Sequence, residues 1–151
     1  MPTYLRTMSG ITLSYIRVGL IYLIAGPVLL LFSATGLLSA NRDAFFVMEL
    51  YGFVTMAVFG ISYFFVPGIA YGKIASIAAA RIQLVIINIG TIVFTTALSG
   101  VFSAPLSRIL TVTGLMLILV SVLIHASNLW VTIRRGLKTH DAKIGTKEKT
   151  D

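Results

Sequence analysis

The chain has 151 residues, of which 57% are hydrophobic and only 11% are charged, and its mean hydropathy is +0.95. These values are far from those of an ordinary soluble domain, and the length allows one domain. The absence of cysteine excludes a disulfide framework, a thiolate metal site and a cysteine nucleophile. The formal net charge of +7 does not indicate nucleic-acid binding, because half of the twelve lysine and arginine residues follow Trp130 and no basic patch with interleaved aromatic residues occurs.

The first apolar run predicts a membrane-spanning helix over residues 15–38. The segment 1–14 before it is polar to mixed, which is typical of the membrane interface. The run is too long for a signal peptide and lacks a clean small-residue cleavage site, so we expect it to be retained. Pro27 in its middle predicts a kink, because proline removes a backbone donor and crowds the preceding turn.

The second apolar run, residues 45–66, is the stretch around which the other spans are arranged. Its length matches a bilayer core, since about 20 helical residues cover ~30 Å. The short connection 39–44 predicts that spans one and two are antiparallel neighbours, and Pro67 with the following glycine marks the end of the second. Glycine and other small residues within it favour close packing against another helix.

Glu49 is the one ionisable residue of the second run. An unpaired carboxylate is costly at membrane depth, so we expect it to be protonated, paired or facing a polar cavity. Its predicted partners are Thr95, Thr96, Thr111, Arg42 and Arg108. Two interpretations stay open, namely a proton or ligand site in the outer half and a satisfied contact between helices or subunits.

Two further apolar runs predict spans over residues 81–102 and 108–133. They are separated by a short connection that contains Pro105. The less apolar segment 68–80, between the second and third spans, is predicted to be an interfacial loop or a short surface helix.

Three polar residues of these spans predict a buried polar layer. Asn88, His125 and Asn128 lie about 9–14 Å from the inner membrane boundary, at ~1.5 Å per helical residue. We expect Asn88 to hydrogen-bond to Asn128 or His125, directly or through one water. The alternative is that His125 ligates a haem or a metal. Because haem in a helix bundle usually takes two ligands from facing helices, we expect neither a cofactor nor a metal.

The predicted fold is therefore an all-α, up-down bundle of four transmembrane helices over residues 1–135, followed by a disordered basic tail over residues 136–151. With four spans, both termini lie on one side. That side holds ten lysine and arginine residues and the other side holds two, Arg42 and Arg108. The positive-inside bias predicts a multi-pass protein of the plasma membrane with both termini in the cytoplasm.

Four segments carry a resemblance to a known family. They are SYIRVGLIYLIAGPVL at 14–29, LYGFVTMAVFGISYFFVP at 50–67, ARIQLVIINIG at 80–90 and NLWVTIRR at 128–135. These segments resemble helices of proteins related to the haem-copper oxidase catalytic subunit (subunit I), especially its cbb3-type branch. Together they cover nearly all four spans, although each is short and apolar. The resemblance implies a membrane helix bundle that accompanies redox-active subunits.

The chain departs from that family at the haem ligands. In the family the second helix begins with a histidine that ligates low-spin haem, and the equivalent position here is Phe45. Val47 and Phe64 stand at other positions where related proteins can carry histidine. None of these side chains can ligate a metal. The resemblance therefore implies a non-catalytic accessory subunit.

The expected host is a membrane oxidoreductase, either a terminal oxidase or a copper membrane monooxygenase. The expected partners are other integral membrane subunits and lipid. The alternative is a stand-alone haem- or quinone-binding protein, or a small channel or proton path.

Overall fold

The computed structural model describes residues 3–36 and 42–147 of the chain. Four of its helices are long and apolar enough to cross a membrane, so the predicted four-transmembrane-helix bundle is confirmed. No strand occurs within the described ranges. The elements are α1 (Thr3–Ala34), α2 (Arg42–Val47), a π-helical segment (Met48–Val54), α3 (Thr55–Ile69), α4 (Ile77–Leu98) and α5 (Ala104–Lys147).

The first helix begins before the predicted span, because α1 is helical from Thr3, and the part of it apolar enough to cross a membrane is Gly10–Ala34. Pro27 lies inside α1, which continues past it to Ala34, and the predicted kink stays a prediction. Half of the connection 39–44 lies outside the described residues, since only the part from Arg42 onward is described.

The second span, Arg42–Ile69, consists of α2, the π-helical segment and α3 in one continuous run. In a π-helix the backbone hydrogen bonds reach back five residues, which widens the turn. Accordingly, the backbone N–H of Thr55 donates to the carbonyl of Leu50, and the Thr55 hydroxyl donates to the same oxygen at 2.8 Å. The second span thus contains a widened turn directly after α2.

The four spans pack as two antiparallel pairs. The first pair is α1 with the second span, and the second pair is α4 with α5. Glycine allows the close approach, because a Cβ added at Gly114 would lie 2.9 Å from the Cα of Phe94 on the facing helix. Gly60 has the same role against α1, since its Cβ would lie 2.9 Å from that of Tyr15. Met56 is fully buried and faces Gly19 of α1, whereas many outward-facing side chains are apolar, which suits contact with lipid.

The connection between the second span and α4 folds onto α5. No helix forms in this turn, residues 70–76, so of the two predicted alternatives the structure contains the loop. Ala70 and Ile74 are buried, and Tyr71 has a φ of 54°, which non-glycine residues rarely adopt. Ser76 then caps α4, because its hydroxyl accepts from the N–H of Ala79 at 3.1 Å.

The last helix is longer than predicted. α5 begins at Ala104, because Pro105 falls in the first turn, where a missing N–H costs nothing. It continues to Lys147, so the segment 136–147 is helical where the sequence predicted disorder, and residues 148–151 lie outside the described part. No proline interrupts this segment, and Gly136 packs against Gly72 of the turn. At 44 residues, α5 is about 66 Å long and therefore extends well beyond a bilayer core of ~30 Å.

Candidate functional site

Polar side chains of the second span, the turn, α4 and α5 form one hydrogen-bonded cluster, which we call the polar network. Its members on α5 follow one another at intervals of four, three and four residues and therefore share one face of the helix. All four are buried although they lie in an apolar helix. The members of the polar network are Ser62, Tyr63, Ser76, Gln83, Ser121, His125, Asn128 and Thr132.

Asn128 attaches the turn to α5 by two hydrogen bonds. Its Nδ2 donates to the carbonyl of Ser76 at 2.9 Å, and its Oδ1 accepts from the N–H of Ser76 at 3.0 Å. One helical turn further on, the Thr132 hydroxyl accepts from the N–H of Ala75 at 2.9 Å and donates to the carbonyl of Asn128 at 2.7 Å. The backbone N–H groups of Ala75 and Ser76, which precede the first turn of α4, thus gain side-chain partners on α5.

The fixed amide of Asn128 determines the direction of the hydrogen bonds beyond it. Asn128 Nδ2 also donates to the hydroxyl of Tyr63 at 3.4 Å, so Tyr63 donates onward to Oε1 of Gln83. Nδ1 of His125 lies 3.3 Å from the same Gln83 oxygen and therefore carries the proton. Nε2 is then an acceptor and lies 2.9 Å from the Ser62 hydroxyl, whose single proton is shared with the carbonyl of Phe59, also 2.9 Å away.

Aromatic rings enclose the imidazole of His125. The ring of Phe59 stacks on it with centroids 4.0 Å apart, and the ring of Tyr63 meets it edge-on at 4.8 Å. Since both ring nitrogens already have side-chain partners, a haem or metal would have to displace Ser62 or Gln83 to reach His125. No group of three histidine, cysteine or acidic residues occurs in the part of the chain that the structure describes. The arrangement is that of an interhelical packing contact.

The prediction that Asn88 contacts Asn128 or His125 is wrong. Its Oδ1 accepts from the hydroxyl of Tyr22 at 3.0 Å, and its Nδ2 donates back to the carbonyl of Leu84. The residue of α4 that hydrogen-bonds to His125 is Gln83 and not Asn88. Because the two residues are five apart, they point about 140° away from each other around a helix of 3.6 residues per turn. Asn88 therefore joins α4 to α1, whereas Gln83 joins α4 to α5.

A sequence signal for Gln83 exists in the helical pattern of α4. Ala80, Gln83, Ile87 and Gly90 are all buried and recur at the spacing of one helix face. The side chain of Gln83 is fully buried, and its Nε2 has no partner among the described residues. A polar residue within an otherwise apolar face predicts an interhelical hydrogen bond, and this reasoning could have identified Gln83.

Glu49 lies in the first turn of the π-helical segment and precedes every member of the polar network in the sequence. Its side chain is partly exposed, but Oε1 is buried and has no hydrogen-bond partner among the described residues. This oxygen lies against Gly26 of α1, where an added Cβ would collide with it. The hydroxyl of Thr95, a predicted partner, is also buried without a partner. The predicted pairing of Glu49 within the chain is therefore not formed through this oxygen.

Comparisons of the chain with protein-family models, with curated proteins and with solved structures gave no match. The resemblance to the haem-copper oxidase family therefore stays a prediction that rests on the four segments alone.

Proposed function

We propose that the chain is a non-catalytic membrane subunit that packs against other integral membrane subunits. The observation that carries the proposal is the buried, unpartnered Oε1 of Glu49. An acid at membrane depth without a partner is costly, and such residues usually have a functional role. The rest of the Glu49 side chain is partly exposed, so a hydrogen-bond donor or a cation on a neighbouring subunit would bind the carboxyl group from outside the bundle.

The surroundings of Glu49 support a protein neighbour. It lies in a π-helical segment, and such segments are frequent at functional sites because the widened turn redirects side chains. Phe46, three residues earlier and therefore on the same side of the helix, is 57% exposed. Gly26 gives the carboxylate access to the boundary between α1 and the second span. A neighbouring helix would thus meet an aromatic side chain and an acid together.

The polar network supports a non-catalytic role. Both nitrogens of His125 are engaged by side chains of the same chain, and Phe45 stands where the resembling family has a haem-ligating histidine. The proposed host is a membrane oxidoreductase of the terminal oxidase or copper monooxygenase type. That part of the proposal rests on the resemblance of the four segments.

Photo-crosslinking in the native cell tests the proposal. A photo-reactive amino acid placed at Phe46 is expected to form a discrete crosslink to another membrane polypeptide. The matched control is Leu119, which is 50% exposed on α5. The same crosslinker at Leu119 is expected to react mainly with lipid.

A second arm uses Glu49 itself. Glu49→Leu is expected to reduce the Phe46 crosslink, whereas Glu49→Gln, which keeps the side-chain length and a hydrogen-bonding oxygen, is expected to retain most of it. Crosslinks from Phe46 only to lipid or to a second copy of this chain would contradict the proposal. An unchanged crosslink in Glu49→Leu would show that the contact with the neighbouring polypeptide does not depend on Glu49.

A further inference from the structure

A cleft along α5 combines an apolar groove with a cationic end. The groove has a volume of about 480 Å³, and the adjoining cavity has a volume of about 490 Å³. The two share Ala75 of the turn and Arg135 of α5 in their walls. They therefore adjoin each other where the turn meets α5.

The groove has the length of one membrane leaflet. On α5 it is lined from Val120 to Val131, mostly by aliphatic side chains, with Ala79 of α4 on the other side. The eleven helical steps from Val120 to Val131 span about 17 Å, and half of a ~30 Å hydrocarbon core is about 15 Å. An acyl chain that lies along this groove would reach from the cationic end to the middle of the bilayer.

The cavity at the end of the groove is polar and contains two cations. Lys73 of the turn and Arg135 of α5 line it, and both side chains are exposed. Thr139 adds a hydroxyl to the same wall. Tyr71 forms another wall in its unfavourable backbone conformation, φ 54°, and stacks on His140 with centroids 4.3 Å apart. Strained residues of this kind concentrate at binding sites.

We propose that this cleft binds one anionic phospholipid, with the phosphate between Lys73 and Arg135 and one acyl chain in the groove between α4 and α5. Charge complementarity selects an anionic headgroup. The apolar groove that leads into the membrane selects a lipid over a soluble anion. The lipid joins the turn to α5 at the end of the bundle that the sequence predicts to be cytoplasmic, where anionic lipids are enriched. This proposal is independent of the proposed subunit function.

Native mass spectrometry of the full-length protein, released from nanodiscs of phosphatidylcholine with one-tenth phosphatidylglycerol, tests the inference. We expect the wild-type protein to retain one phosphatidylglycerol per chain. The double variant Lys73→Gln/Arg135→Gln is expected to retain it about 30-fold less, since each cation near a headgroup accounts for roughly a fivefold change in affinity. Arg134→Gln/Lys138→Gln is the matched control, because it removes the same charge from the same helix end outside the cleft.

A groove-filling variant tests the acyl chain separately. Ser127 is exposed on the groove wall, so Ser127→Trp fills the groove without a change in charge, and we expect it also to reduce retention. Equal losses in both double variants would show general electrostatic attraction and would overturn the proposal. Full retention in Ser127→Trp, or capture of phosphatidylcholine as readily as phosphatidylglycerol, would do the same.

Discussion

At the scale of single residues, the double hydrogen bond between Asn128 and Ser76 joins the turn before α4 to α5. It gives a partner to the backbone N–H of Ser76 and a further donor to the Ser76 carbonyl, which also accepts from the N–H of Ala80 at 3.3 Å. It also fixes the amide of Asn128, whose Nδ2 donates to the hydroxyl of Tyr63, and that hydroxyl donates to Oε1 of Gln83.

Asn128→Leu is expected to lower the free energy of unfolding by about 2–3 kcal/mol, because two bonds of roughly 1–1.5 kcal/mol each are lost. The control is Asn88→Leu, which loses one side-chain partner, Tyr22, and is expected to cost about 1 kcal/mol. Thermal or denaturant unfolding in the same detergent measures both. A larger loss for Asn88→Leu would contradict this ranking.

The sequence predicted that polar residues of the third and fourth spans meet, and His125 and Asn128 do belong to one network. The predicted partner on α4, Asn88, was wrong. Similar depth in the membrane does not make two residues neighbours, because a residue must also face the partner helix. Asn88 and Gln83 differ by about 140° in direction, and only Gln83 faces α5. The environment of Glu49 could not be predicted, since it depends on how Gly26 of α1 packs against the widened turn.

At the scale of elements, the close approach of the turn to α5 depends on Gly136. A Cβ at this position would collide with the backbone carbonyl oxygen of Ala70, which cannot move aside as a side chain can. The apolar spans were predictable from composition because their length is set by the bilayer. The π-helical segment and the extension of α5 to Lys147 were not, since neither has a marker in the local sequence.

Gly136→Ala is expected to destabilise the protein by about 1–3 kcal/mol through overpacking. Gly10→Ala is the control, because a Cβ on Gly10 meets nothing within 4 Å and alanine favours a helix. Unfolding measurements compare the two. Limited proteolysis at residues 70–76 is expected to become faster only in Gly136→Ala, and equal stability of the two variants would refute the role assigned to Gly136.

At the scale of the whole molecule, we propose an orientation with both ends of the chain inside the cell. With four spans, ten lysine and arginine residues lie on the side of the two termini and two lie on the other side, and the positive-inside bias places the richer side in the cytoplasm. The chain has no cysteine, so a thiol reagent labels only the one cysteine that is introduced. Ser103→Cys, between α4 and α5, is expected to react with an impermeant maleimide from outside intact cells.

Lys138→Cys, on the extended part of α5, is expected to react only after the cells are opened. The opposite labelling pattern would show that both termini lie outside the cell, and the proposed lipid cleft would then lie on the outer side. Labelling of both sites from one side would contradict the four-span topology itself.

The mass of the particle isolated from the native membrane in mild detergent tests the central claim most directly. The chain has a mass of 16.3 kDa. The proposed subunit role predicts a particle that contains this chain together with other polypeptides in a fixed ratio. A particle whose protein mass is 16.3 kDa, or a whole multiple of it, would contradict the account and favour a stand-alone protein.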